Sequence, residues 1–189
     1  RFVQGDIRNL EFDSNTFDWA WSMDTLWVGP KEYGCPDEEP KKMMSELHRI
    51  LKPGGKLIFA FWSAHKFLPG FPLLEARLNA TKAANLPNTD SMDTNNHIFL
   101  ATKWLCDAGF KSNKVKSFIA DVSAPLNINE KYALFSLFQM LWANSEKEIS
   151  KEEWEKYIDL CSPKSSKFIL NNQDYYGFYV YTLFQGIKE

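Results

Sequence analysis

The chain has 189 residues, of which 44% are hydrophobic and 15% aromatic, so it holds enough apolar material for a packed core. Its 22 basic and 24 acidic residues leave a net charge of -2, which excludes the broad positive field typical of nucleic-acid binding. The three cysteines, Cys35, Cys106 and Cys161, are widely spaced and predict neither a disulfide framework nor a metal site. No apolar run reaches the roughly 20 residues of a membrane span, and we expect a cytoplasmic protein without a membrane partner.

Two strands are predicted near the beginning. Residues 2–7 predict the end of a short strand, and because Arg1 stands in place of Met we expect upstream sequence to be missing. Residues 17–23, Phe-Asp-Trp-Ala-Trp-Ser-Met, are typical of a strand covered on both faces in a parallel sheet. Ligands bind outside the carboxyl ends of such strands, so a site is expected from Ser22 onward.

A helix and a second buried strand follow. Asp37 is the predicted N-cap of the helix. The helix has apolar residues at a spacing of three and four: Met43, Met44, Leu47, Ile50 and Leu51. Pro53-Gly54 stops this helix and suits the central positions of a type II turn. Residues 56–62 then predict a strand that is buried on both faces.

The next segment predicts two helices and a strand. A helix opens at Pro72, a residue favoured at the first helical position, and runs through Ala84. Residues 85–97 are polar and loop-like. A second helix ends at Gly109, which suits a C-terminal cap, and residues 114–121 predict a half-exposed strand.

Beyond residue 121 the alternation of strand and helix breaks. Residues 130–143 are apolar nearly all round, which predicts a helix buried on several sides or covering a cavity. Ser150 and Glu153 predict a capping box for another helix, and residues 176–186 predict a long last strand.

This order of elements predicts the α/β class, with a partial doubly wound, Rossmann-like, mostly parallel sheet and an antiparallel last strand. We predict one domain whose opening strand-helix units are absent. It consists of a core over residues 1–121, a helical insertion or lid over 122–174 and a final strand over 175–189.

Several short motifs together resemble a known family. Asp6-Ile7 follows a strand, Phe17-Asp18 opens the next one, and residues 46–57 read Glu-Leu-His-Arg-Ile-Leu-Lys-Pro-Gly-Gly-Lys-Leu, ahead of a helix that ends in Ala108-Gly109-Phe110. In this order and spacing they resemble the second half of class I S-adenosylmethionine-dependent methyltransferases of the type 11 kind. The resemblance implies a cofactor lying across the carboxyl ends of the strands, and transfer of a methyl group to a small-molecule acceptor by in-line displacement.

The resemblance also implies which residues bind S-adenosylmethionine. Asp6 would accept a hydrogen bond from the adenine amino group, Ile7 would cover the ring, and Ser22-Met23 would run beside the methionine part. A turn carboxylate is the alternative role for Asp6. The family's glycine-rich loop and its acidic ribose-binding residue have no counterpart in the sequence, so we expect this chain alone to bind the cofactor poorly or not at all.

Five aromatic residues are candidates to line the pocket. Trp27 follows the first strand and is assigned to the cofactor side, because an aromatic face attracts a sulfonium cation. The candidates on the substrate side are Tyr33, Trp62, Tyr175 and Tyr176. Core packing is the alternative for each of them.

Two histidines are candidate general bases. A base is required only if the accepting atom carries a proton, and His is the usual choice near neutral pH. His65 follows the second buried strand and His97 ends the polar loop. The alternative for both is a solvated loop histidine.

Two other functions stay open. A nicotinamide-dependent oxidoreductase uses a similar fold, although the pattern of residues 46–57 favours the methyltransferase. A non-catalytic domain is the second alternative. It would self-associate through an exposed sheet edge, and a homodimer of this kind is also compatible with the enzyme.

Overall fold

The structure is a computed structural model that describes residues 2–26, 40–85 and 93–189. Its helices and strands are, in chain order, β1 (Phe17–Met23), α1 (Pro40–Ile50), β2 (Leu51–Lys66), α2 (Pro72–Asn79), α3 (Lys82–Asn85), α4 (Ala101–Asp107), β3 (Lys111–Ser123), α5 (Ile128–Trp142), α6 (Lys151–Cys161) and β4 (Tyr176–Ile187). Asp37, the predicted cap of α1, lies outside the described residues. Within the described ranges, no helix has the length and apolar character needed to cross a membrane.

The four strands form one sheet in the order β1-β2-β4-β3. β1 and β2 are parallel, with Ala20 opposite Leu57 and Met23 opposite Ala60. The other pairs are antiparallel, and where β4 ends beside the start of β2 the backbone N–H of Lys188 donates to the carbonyl of Gly55 at 2.9 Å. The α/β class and the antiparallel last strand are therefore confirmed, with one parallel pair among the described strands.

The chain forms two compact units. The first comprises Arg1–Ser63, Pro87–Phe118 and Tyr181–Glu189, and the second comprises Ala64–Leu86 and Ile119–Val180. The domain boundaries expected from the sequence, with an insertion over residues 122–174, stay a prediction.

The core of the first unit is formed by one face of the sheet together with α1 and α4. Its buried side chains include Met43, Met44, Leu47, Ile50, Leu57, Phe59, Trp104, Leu105 and Phe184. Phe59 of β2 and Phe184 of β4 stack with their ring centroids 5.2 Å apart. The apolar stripe predicted for α1 is buried as expected.

Two glycines lie near the start of β2. Gly54 has a φ of +80°, in the left-handed region that favours glycine, and lies within the strand where the sequence predicted a type II turn. At Gly55 an added Cβ would lie 2.8 Å from the carbonyl oxygen of Lys52 and 3.2 Å from that of Phe17. These backbone oxygens cannot move without distorting the backbone. The lack of a side chain at position 55 therefore allows β2 to run close beside β1.

Two predictions for the first unit are wrong. Residues 2–7 form no strand; the polar turn that follows is closed by an isolated bridge between Asp6 and Asn9. β1 is a strand, but Trp19 and Trp21 are each 60% exposed. The physical reason is that the core packs against the face of β1 that carries Ala20, whereas no described element buries the opposite face.

The second unit contains four helices. The helix predicted to run from Pro72 to Ala84 is two helices, since α2 ends at Asn79 and α3 begins at Lys82. The capping box of Ser150 and Glu153 at the start of α6 is confirmed.

The helix predicted over residues 130–143 is present as α5, but it is not buried all round. Leu134, Phe138 and Trp142 form its buried stripe. Tyr132 is 72% exposed and Met140 is 62% exposed, because the second unit packs against one side of this helix only.

Candidate functional site

The carboxyl end of β1 lies beside the middle of β2, which continues to Lys66. Met23 ends β1 opposite Ala60, and the backbone N–H of Asp24 donates to the carbonyl of Ala60 at 2.9 Å. Asp24 has a φ of +49°, in the left-handed region. Aspartate tolerates this region better than most residues, and backbone outliers of this kind cluster at functional sites. The chain therefore turns sharply at the edge where parallel sheets bind ligands.

The Asp24 carboxylate joins three strands. Its Oδ1 accepts the backbone N–H of Trp62 at 2.9 Å, and its Oδ2 accepts the Tyr181 hydroxyl at 2.6 Å. Trp62 belongs to β2 and Tyr181 to β4, so one side chain directly after β1 connects the three strands by hydrogen bonds. Sequence reasoning did not single out Asp24 or Tyr181. The available signal was an aspartate directly after a predicted buried strand.

Ser22 and Met23 lie on β1 just before Asp24. The Ser22 hydroxyl oxygen is buried and has no hydrogen-bond partner among the residues that the structure describes. A buried hydroxyl without a partner is costly, so this position suits a polar group of a ligand. The Met23 side chain is 48% exposed. The predicted assignment of Ser22 and Met23 to the cofactor is compatible with this geometry and stays a prediction.

Asp6 lies in an exposed turn. Its carboxylate accepts the backbone N–H and the Nε–H of Arg8, both at 2.9 Å, and an Nη2–H at 2.6 Å. The hydrogen bonds from Arg8 lower the pKa of Asp6 to about 2. The Nε–H also lies 3.1 Å from the other carboxylate oxygen, so Arg8 makes four contacts to a group with about four acceptor positions, and an adenine amino group would have to displace or share one of them. Ile7 is half-buried and packs against the core of the first unit.

The two candidate histidines both have partners within the protein. His97 belongs to the first unit, and its Nδ1 accepts the backbone N–H of Phe99 at 3.2 Å. His65 belongs to the second unit, where its Nε2 lies 3.1 Å from Oδ1 of Asn79 and its ring stacks on Phe67. Burial lowers the pKa of His65, which favours the neutral imidazole that a general base requires. A catalytic role for either residue stays a prediction.

The aromatic candidates occupy different environments. Tyr175 is buried, and its hydroxyl donates to the carbonyl of Phe67 at 3.2 Å, which is the contact of a core residue. Tyr176 is 50% exposed, and Trp62 is half-buried beside Asp24. Trp27 and Tyr33 lie outside the described residues.

Known proteins resemble this chain most clearly in its first part. Residues 1–59 match the family model described as a methyltransferase domain. This part of the chain is therefore similar to methyltransferases. The resemblance carried by Asp6-Ile7, Phe17-Asp18 and residues 46–57 is thereby confirmed.

Two methyltransferase relatives extend this finding. Demethylmenaquinone methyltransferase of Renibacterium salmoninarum is 29% identical over 121 residues, which are 58% of this chain and 47% of that protein. Sterol 24-C-methyltransferase of Saccharomyces cerevisiae is 33% identical over 61 residues, which are 32% of this chain and 14% of that protein. The chain therefore matches about half or less of the length of these methyltransferases.

Solved methyltransferase structures are similar at low identity. Phosphoethanolamine N-methyltransferase 2 of Haemonchus contortus, in complex with S-adenosyl-L-methionine, gives a TM-score of 0.42 at 16% identity. The alignment covers 97% of this chain and 36% of that one. The YcgJ protein of Bacillus subtilis gives a TM-score of 0.46 at 15% identity, covering 100% of this chain and 71% of that one.

Proposed function

We propose that this chain takes part in the S-adenosylmethionine-dependent transfer of a methyl group to a small-molecule acceptor. The observation that carries the proposal is the match of residues 1–59 to a methyltransferase domain. The parallel pair of β1 and β2 supports it, because Ser22, Met23 and Asp24 lie at the carboxyl end of β1, where such sheets bind ligands.

The residues assigned to the cofactor would act on it through polar groups. Bound S-adenosylmethionine supplies a methyl group on a sulfonium, which is already a good leaving group, so the protein contributes mainly by positioning. The unpartnered hydroxyl of Ser22 would hold a polar group of the cofactor. Asp6 would accept the adenine amino group by giving up or sharing one of its contacts with Arg8. Asp24 connects β1 to β2 and β4 by hydrogen bonds next to Ser22.

A small organic acceptor is favoured over nucleic acid. The net charge of -2 offers no broad positive surface for a phosphate backbone. The names of the two relatives refer to demethylmenaquinone and to a sterol, and both are small organic molecules. The accepting atom decides whether His65 or His97 is needed as a base, since a base acts only where a proton must leave.

Isothermal titration with S-adenosylhomocysteine and with NAD tests the proposal. Both ligands are titrated into this 189-residue chain and into the polypeptide encoded by the complete reading frame. We expect the complete polypeptide to bind S-adenosylhomocysteine and not NAD, and this chain to bind it more weakly or not at all. Binding of NAD alone would replace the methyltransferase with the oxidoreductase alternative.

The role of Asp6 is tested in the same titration. Asp6→Ala in the complete polypeptide should weaken binding of S-adenosylhomocysteine by about 1 to 3 kcal/mol, the loss expected when a hydrogen bond to a charged group is removed. Glu11→Ala, at an exposed position in the same segment, is the matched control and should leave the affinity unchanged. An unchanged affinity for Asp6→Ala would remove Asp6 from the site.

A further inference from the structure

Two side chains of α1, Glu46 and Arg49, form a bidentate ion pair in the first unit. The Nε–H of Arg49 donates to Oε2 of Glu46 at 2.9 Å, and an Nη2–H donates to Oε1 at 2.7 Å. The Glu46 side chain is 13% exposed and the Arg49 side chain is 35% exposed. Pairs with this parallel geometry are among the strongest and most directional contacts between side chains.

The ion pair binds both backbone groups of Leu10. The backbone N–H of Leu10 donates to Oε1 of Glu46 at 2.7 Å, and the Leu10 carbonyl accepts an Nη2–H of Arg49 at 3.0 Å. Arg49 also donates through Nη1 to the carbonyl of Phe12 at 2.8 Å. The pair therefore gives residues 10–12 hydrogen-bond partners of the kind that a neighbouring strand would supply.

The chemistry of the pair suits this task. The hydrogen bonds from Arg49 lower the pKa of Glu46, so the carboxylate stays charged at neutral pH. A guanidinium has five N–H groups in one plane and can donate to a carboxylate and to two carbonyls at once. A lysine ammonium is a compact charge and lacks this fork. Arg49→Lys therefore keeps the charge but not the three contacts.

The anchored residues come directly after the turn of residues 6–9 (the Asp6 turn). The N–H of Asn9 donates to the carbonyl of Asp6 at 2.9 Å and closes this turn just before Leu10. Ile7, Leu10 and Phe12 pack against the core of the first unit. Fixing both backbone groups of Leu10 therefore limits where the turn can place the Asp6 carboxylate.

We propose that Glu46 and Arg49 are positioning residues for the cofactor, because by fixing Leu10 they hold the Asp6 turn in the place where Asp6 and Ile7 would meet the adenine ring. The inference rests on the proposed function. Neither side chain needs to touch the cofactor, since both act through the backbone of residues 10–12. Such support matters because binding groups must be held to within about 0.5 Å of the productive geometry.

Isothermal titration of the complete polypeptide with S-adenosylhomocysteine tests this role. We expect Arg49→Lys to weaken binding about tenfold, because residues 10–12 lose anchors while the charge is kept. Glu46→Gln keeps an acceptor for the Leu10 N–H and should weaken binding less. Ile50→Val is the control for lost stability: it removes one carbon atom from a core side chain that is 4% exposed and should leave the affinity unchanged. Circular dichroism checks that each variant is folded.

A double-mutant cycle separates positioning from a general loss of stability. If Arg49 acts through the Asp6 turn, Arg49→Lys should weaken binding less in an Asp6→Ala background than in the unaltered polypeptide, because both changes affect the same contact. An equal loss in the two backgrounds would overturn the proposal, and so would an unchanged affinity of Arg49→Lys.

NMR relaxation measures the motion of the turn without cofactor. In the complete polypeptide we expect backbone order parameters near about 0.85 for residues 6–10, falling toward about 0.6 in Arg49→Lys and unchanged in Ile50→Val. Equal order parameters in Arg49→Lys and the unaltered polypeptide would overturn the proposal even if the affinity falls. If the unaltered complete polypeptide does not bind S-adenosylhomocysteine, it is the proposed function that fails, and the relaxation data alone decide whether the ion pair fixes the turn.

Discussion

The hydroxyl of Tyr181 and the carboxylate of Asp24 are 157 residues apart in sequence and 2.6 Å apart in the first unit. Asparagine at position 24 would keep an acceptor for the Trp62 N–H and would tolerate the left-handed backbone. We expect Asp24→Asn and Tyr181→Phe each to lower the free energy of unfolding by about 1 kcal/mol, since both groups are partly solvated.

A double-mutant cycle by urea denaturation measures this pair. The double variant should lose less than the sum of the two single losses, because each change removes the same hydrogen bond. Tyr176→Phe removes a hydroxyl from a tyrosine that is 50% exposed and should be nearly neutral. Additive losses at positions 24 and 181 would show that the two side chains are not coupled.

Glu75 is a buried carboxyl in the second unit. It is 1% exposed, its Oε1 accepts the backbone N–H of Phe67 at 2.6 Å, and the ammonium of Lys66 lies 3.9 Å from its Oε2. Burial raises the pKa of Glu75 above its ordinary value of 4.5, because the loss of hydration outweighs the hydrogen bonds and the partly exposed lysine. The folded chain therefore holds the proton of Glu75 to a higher pH than the unfolded chain does.

This difference predicts a pH dependence of stability. The contribution of Glu75 is present in full below a pH of about 4.5 and is lost as the pH rises through the higher pKa of the folded state. Glu75→Gln keeps an acceptor and cannot ionise, so its free energy of unfolding should fall less than that of the unaltered chain as the pH rises. Urea denaturation at a series of pH values from about 4.5 upward measures how the free energy of unfolding changes with pH in the unaltered chain and in Glu75→Gln. Glu152→Gln is the control at an exposed position. Parallel slopes for Glu75→Gln and the unaltered chain would contradict the prediction.

Among the elements, helices whose ends carry capping residues in the sequence were predicted most accurately. Ser150 caps α6 by accepting the backbone N–H of Glu153, and the Glu153 carboxylate accepts the Ser150 N–H in return. Ser150→Ala should lower the free energy of unfolding by about 1 kcal/mol. Ser136→Ala in the middle of α5, where the hydroxyl donates to the Tyr132 carbonyl, should change it by less than about 0.5 kcal/mol. Equal losses in thermal denaturation would mean that the cap contributes nothing specific.

Features that depend on contacts between residues far apart in the chain could not be predicted from the sequence. The end of α4 just before Gly109 could be predicted because cap chemistry is contained in a few neighbouring residues, whereas Pro53-Gly54, predicted as a turn, lies within β2. The exposure of Trp19 could not, since an apolar strand sequence does not indicate which elements cover it.

The candidate site, too, could be predicted only in part from the sequence. Ser22 and Met23 stay predicted cofactor residues, and the structure places both at the end of β1. The role of Asp24 was missed because Tyr181, which donates to it, belongs to the last strand of the chain.

At the scale of the whole molecule, the described tryptophans differ in exposure. Trp19 and Trp21 are each 60% exposed, whereas Trp104 is 4% exposed and Trp142 is fully buried. The other described tryptophans, Trp62 and Trp154, are half-buried. Replacing exposed or buried tryptophans therefore changes different parts of the fluorescence of the chain.

Replacing the exposed tryptophans and replacing a buried one should shift the fluorescence emission in opposite directions. Trp19→Phe with Trp21→Phe removes the solvated rings, so the emission should move to the blue and acrylamide should quench less of what remains. Trp142→Phe removes a buried ring and should move the emission to the red. A red shift in the double variant would show that the face of β1 is covered in solution by something other than the described residues.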